Sequence, residues 1–127
     1  MAAATVDRQT RFAHVERIKG PYGQTAATTI HAGTLAAIAG ATGLIVPAAD
    51  TAGQFVVGFH MKRSVAADGD TPEVMSGAAY LANDGTITVV NVGEMAMVLD
   101  DQTVTLAATA VNDIPVGVIE AVDATLG

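Results

Sequence analysis

"AGTLAAIAGATGLIVPAA", residues 32–49, carries no charge, and its reading decides the fold. As one helix it would sit near the lower length limit for crossing a membrane. Gly33, Gly40, Gly43 and Pro47 argue against that helix, and alanine adds little transfer energy. A hairpin fits better: "TLAAIA" (34–39) and "LIVP" (44–47) as strands, with "GATG" (40–43) as the turn. No membrane partner is therefore expected.

The residues beyond this hairpin repeat its punctuation. Turn signals fall at "HAG" (31–33), "DTAG" (50–53), "ADGD" (67–70), "NDG" (83–85), "DDQ" (100–102) and "VND" (111–113). Between them lie short runs rich in valine, isoleucine and threonine: "FVVGFHM", "EVMSGAAYLA", "TITVV", "EMAMVL", "TVTLA" and "IPVGVIEAV". Short strands at this spacing predict an all-β fold, a small β-sandwich or β-barrel. No amphipathic helix of three turns is expected, although "AADTAG" and "NVGEMA" have room for a single helical turn. Val-Gly recurs at "VVGF" (56–59), "NVGEM" (91–95) and "PVGVI" (115–119), and glycine inside a strand marks a bulge or a close backbone approach.

At 127 residues the chain fits one domain with a modest core. Half the residues are hydrophobic but only 4% are aromatic, so each buried residue contributes little area. Association with other chains is the expected remedy. Residues 1–24 stand apart, with Arg8, Arg11, Arg17 and Lys19, no sustained periodicity, and a turn-prone "KGPYG" at their end. They read as an extended N-terminal arm ordered against a partner, and residues 25–127 as a single β-rich domain. The N-terminus lacks the continuous apolar run of a signal peptide.

Net charge is −7, and the stretch from Ser64 to Gly127 holds acids and no base. A nucleic-acid partner needs the opposite surface, so none is expected. The basic arm suits an acidic protein surface instead. With no cysteine, disulfides, thiolate nucleophiles and Cys-bound zinc are excluded.

No catalytic constellation emerges. Asp100 and Asp101 are adjacent, so in a strand they point to opposite faces, and aspartate is a favoured turn residue. The pair reads as a turn or strand end. "DGDTPE" (68–73) places Pro72 and Glu73 where a calcium loop of the EF-hand type requires other residues, and reads as a solvated acidic loop. His14, His31 and His60 are widely separated and form no metal-ligating motif; each reads as a surface or strand residue. Ser64 and Ser76 lie outside any nucleophile elbow, and no phosphate loop is present. No catalytic residue, cofactor or metal is expected.

The ordered motifs carry a resemblance. "IHAGTLAAIAGATGLIVPAADTAGQFVVGF", then an acidic "ADGD", then "VGEMAMVLDDQTVT", then "VNDIPVGVIEAVD" resembles the capsid decoration (head cement) proteins of tailed bacteriophages, over roughly residues 28–123. "AGTL", "VPAADTAG" leading into "VVG", and "DDQTV" after an apolar strand look most like the family. Two positions depart from it: "MSGAAYLA" (75–82) stands where a basic "RRG" is expected, and no closing "GVW" follows. The resemblance implies a non-enzymatic virion protein on the outer capsid surface. It would assemble as a homotrimer, bridge neighbouring major capsid protein subunits and stabilise the shell through many repeated weak contacts. Arg8, Arg11, Phe12, Arg17 and Lys19 are then the candidate partner-contact residues. A tail-tube or spike component is the alternative, and a β-barrel small-ligand binder would need a deep pocket with convergent polar groups.

Overall fold

The structure is a computed structural model that describes residues 3–8, 12–19 and 22–124. Its strands are β1 (Phe12–Lys19), β2 (Thr29–Ile30), β3 (Leu35–Ala39), β4 (Leu44–Pro47), β5 (Gln54–His60), β6 (Ser64–Val65), β7 (Val74–Ala79), β8 (Ala82–Asn83), β9 (Met95–Val98), β10 (Thr103–Thr105) and β11 (Pro115–Val118). One sheet has the order β1-β7-β5-β3-β4, a second β11-β9-β10-β8, and β2 and β6 form a small ribbon. This is the small all-β sandwich that the punctuation predicts.

The charge-free stretch forms the expected hairpin. β3 and β4 run antiparallel with Ala39 opposite Leu44, and the Ala39 carbonyl accepts the N–H groups of Thr42 and Gly43. Gly43 closes the turn at φ +71°, a left-handed conformation that glycine adopts without a Cβ clash. β3 lies inside its sheet and is covered on both faces. Leu35 and Ala37 face the main core between the sheets, with Phe59, Ala96, Val98 and Val104. Ala36 faces the other side, with Ile30, Ile45 and Val74. A strand buried on both faces reads as a continuous apolar run, which is why "LAAIA" shows no alternation.

Local side-chain bonding shapes the joints. The Asp50 carboxylate accepts the backbone N–H groups of Val111 (2.7 Å) and Asn112 (2.8 Å), tying the turn after β4 to the loop before β11. Slight burial works against its ionisation, but these donors and the Asn112 side chain outweigh it and hold the carboxyl below its ordinary range. The "DTAG" turn thus also staples the loop that feeds β11.

"TITVV" is not a strand. Asn83 Oδ1 accepts the N–H of Gly85 at 2.9 Å and of Ile87 at 3.3 Å, and its amide donates to Ile87 O. Asn91 Oδ1 accepts Thr88 N–H at 2.8 Å, and Val89–Asn91 form a single 3-10 turn. Side chains have taken the backbone groups a ladder would use. Single helical turns occur here and at Ala66–Asp68; "AADTAG" and most of "NVGEMA" stay non-helical. Within the stretch read as an arm, residues 12–19 form β1, paired antiparallel with β7 at the edge of the larger sheet.

Candidate functional site

The turn after β9 is the first place to look for chemistry. Leu99 and Asp100 N–H groups donate to Thr103 O, which folds residues 99–103 back on themselves. Asp100 Oδ1 accepts Gln102 N–H at 3.0 Å, the local bond that makes aspartate a turn residue. Asp101 Oδ1 instead accepts Ala4 N–H at 2.8 Å, and its carbonyl accepts Leu35 N–H at 2.7 Å. The two carboxylates serve different partners, in line with the turn reading.

The turn is nevertheless covered. Asp101 is 2% exposed and Asp100 9%, because residues 4–8 lie over them. Arg8 is the centre of that cover: its backbone N–H donates to Ala32 O at 2.8 Å, and its guanidinium donates to Gln102 O at 2.9 Å and Tyr80 O at 3.4 Å. Burial lowers its pKa, while the Asp100 and Asp101 charges oppose that. Burial raises the Asp101 carboxyl and Asp100 adds to the rise; the Ala4 N–H and His31 pull it back. Asp7 extends the cluster, accepting Ala32 N–H at 3.1 Å and lying 3.4 Å from His31 Nδ1 and 3.8 Å from Arg63 Nε. His31 Nδ1 makes no hydrogen bond in this arrangement.

These contacts define a clamp that fastens residues 4–8 to the body. Replacing Arg8 with alanine leaves two buried carboxylates without their facing cation, and the fold should lose about 2 kcal/mol. Urea titration checks the loss. Faster cleavage between residues 4 and 8 in limited proteolysis identifies the clamp as the part that opened.

His60, at the end of β5, is fully buried and neither ring nitrogen has a hydrogen-bond partner. Phe59 faces the core between the sheets, so by strand alternation His60 points to the opposite face, that of Ile30, Ala36 and Val74. Burial alone depresses its pKa to about 3. A strand position for His60 was readable in the sequence; its complete burial was not.

Of the candidate partner-contact residues, Arg8 sits in the clamp, Phe12, Arg17 and Lys19 belong to β1, and Arg11 lies outside the described residues. Among the described residues no group of three or more His, Asp or Glu is placed to hold a metal ion, and no helix is long and apolar enough to cross a membrane. The acidic 68–73 loop is mostly solvent-exposed, with Pro72 buried.

A groove of about 540 Å³ opens between the end of β7 and β11, lined chiefly by Phe59, Leu81, Ile87, Val104, Val116 and Val122. Asn83 is among its few polar neighbours, and its amide already serves the 83–87 turn. Beside the groove, among the described residues, lies a run of exposed apolar side chains. Val89 and Val90 are 73% and 82% exposed, and Val92, Met95 and Val118 are also exposed. Met95 and Val118 are register partners, and Gly93 N–H donates to Ile119 O, which keeps Val92 alongside. The sequence signal for this ledge was the apolar run "TITVV" placed between two side-chain-bonded turns.

Fold and site together describe a small all-β sandwich whose polar cluster fastens residues 4–8 and which, among the described residues, exposes an apolar ledge at Val89, Val90, Val92, Met95 and Val118. No protein-family model matches the chain, and neither does any curated protein or solved structure.

Proposed function

We propose that this chain is a capsid decoration protein of a tailed bacteriophage. It binds the outer surface of the head as a homotrimer and bridges neighbouring major capsid protein subunits, acting by binding and not by catalysis. The observation that carries this reading is the ordered succession of motifs from "AGTL" to "PVGVIEAV". Three features support it. The all-β sandwich has the expected architecture. Of the carboxylate pair most open to a catalytic reading, Asp101 fastens residues 4–8 through Ala4 N–H and Asp100 closes its own turn on Gln102 N–H. The exposed valines offer a contact surface of the kind that marks protein association. A small-ligand reading draws only on the apolar groove, which lacks a convergent polar set.

The test adds purified protein to expanded, undecorated phage heads. The protein should co-sediment at a saturating, fixed ratio to the capsid protein and raise the temperature at which the heads rupture. Immunogold labelling of particles carrying this chain should mark heads. Label on tails, or no co-sedimentation at saturating protein, overturns the proposal.

A further inference from the structure

The groove between the end of β7 and β11 is a seam between the two sheets that the described side chains leave open. Its floor is the main core itself, since Phe59, Leu81, Ile87 and Val104 line it and are buried. Its walls are too short to fill it, with Gly77, Ala78 and Ala79 on the β7 side and Gly117 on the β11 side. A protein core leaves few voids larger than a water molecule. An apolar cleft of about 540 Å³ that opens onto the core is therefore a place for a partner's side chains.

Two observations choose the occupant. Groove and ledge are one continuous apolar surface, because Val118 lines the groove and is also 58% exposed beside its register partner Met95. With no convergent polar set to orient a small molecule, that surface fits a length of polypeptide. Charge then sets the chemistry of the polypeptide. Among the described residues, Glu120 is the one charged residue lining the groove, and Glu94 stands exposed in the ledge between Val92 and Met95. No Lys or Arg occurs from Ser64 onward. Arg8 reaches Tyr80 O at the groove's rim, but its guanidinium is held in the clamp by that carbonyl and by Gln102 O.

We infer, resting on the capsid reading, that this groove and ledge seat an extended segment of the shell subunit in which bulky apolar side chains are flanked by Lys or Arg. The apolar side chains enter the seam and complete the core, and the flanking cations meet Glu94 and Glu120. The shell is thus met by an apolar, acidic surface at β11. Arg8, one of the bases expected to make that contact, serves the chain's own clamp instead.

Gly117→Phe is the central variant. A Cβ at Gly117 meets nothing within 4 Å and its φ lies outside the left-handed region, so the ring occupies the groove without straining β11. On expanded, undecorated heads, wild type should co-sediment and Gly117→Phe should bind about tenfold more weakly. The second arm uses the full chain without capsids. A blocked peptide with a Leu-Phe-Leu core between paired lysines, titrated by NMR, should shift the Gly117 and Val118 amide signals. It should bind about tenfold more tightly than the same core between paired glutamates, and Glu94→Lys/Glu120→Lys should reverse that preference. Circular dichroism and thermal melts establish that both variants are folded. Failure of wild type to bind heads is failure of the capsid reading. Heads that bind Gly117→Phe as tightly as wild type, or a peptide preference that charge reversal leaves unchanged, overturn the groove inference and leave the capsid reading standing. A wild-type oligomer that Gly117→Phe takes apart in sedimentation velocity seats a second copy in the groove, and overturns it as well.

Discussion

Replacing Gly58 with alanine should destabilise the protein by about 3 kcal/mol or more, a large share of what a domain of this size has. Gly58 lies in β5 between β3 and β7, with φ at +150°, where a side chain is rarely tolerated. A Cβ built there falls onto the Met75 carbonyl oxygen and within 2.8 Å of Val74 Cγ1. The carbonyl belongs to β7 and cannot swing away as a flexible side chain would. Relief requires β5 and β7 to separate, which disrupts the middle of the larger sheet. Next to Gly58, β5 carries a bulge: Ala36 pairs Gly58 but Ala37 pairs Val56, which leaves Val57 as the extra residue.

Gly43→Ala is the control. Gly43 also has positive φ, at +71°, but a Cβ there meets nothing within 4 Å. It should lose only the conformational term, about 1 kcal/mol. Urea titrations of both variants separate backbone strain from collision. Equal losses would mean that β5 and β7 are not held as closely as the structure has them.

Gly58 also shows what kind of information the sequence contains. Val-Gly in an apolar run marks a strand position with a special backbone, and that much was readable in "VVGF". Which strand approaches it was not, because Met75 is brought there by pairing. The 34–47 hairpin was fully legible for the opposite reason. Its turn, both strands and their lack of charge lie within one short stretch.

"TITVV" misled because strand propensity was weighed without Asn83 and Asn91, whose side chains bond the flanking backbone. Asp101 was read correctly as a turn residue and missed as a buried one. Its cover is Ala4 and Arg8, more than ninety positions away in sequence. The consecutive acids and the basic N-terminal segment were each visible in the sequence. Their meeting is a property of the fold.

The second large effect is acid sensitivity centred on His60. An unfolded histidine takes up its proton near pH 6.5, whereas buried His60 does so only at about 3. Between those values the unfolded chain binds a proton that the folded chain refuses. Stability is therefore fully present above pH 6.5, falls as pH drops toward 3, and levels off below that. The full loss is on the order of 5 kcal/mol, and about 2–3 kcal/mol of it should appear between pH 6.5 and 4.5.

Carboxylates act mainly below that window. Asp50 and Asp84 have lowered pKa values, so what they contribute is lost as pH falls below the ordinary carboxylate range. Asp101 acts in the opposite sense: its raised carboxyl takes up a proton more readily in the fold, so acid relieves its burial. His60→Leu isolates the histidine. Leucine is similar in size and leaves no polar atom without a partner on that face, so the variant should be at least as stable as wild type at pH 7. Its stability should stay nearly flat from pH 6.5 to 4.5 while that of wild type falls. Guanidinium titrations at the two pH values give the comparison, and parallel losses in both proteins would place the acid sensitivity elsewhere than His60.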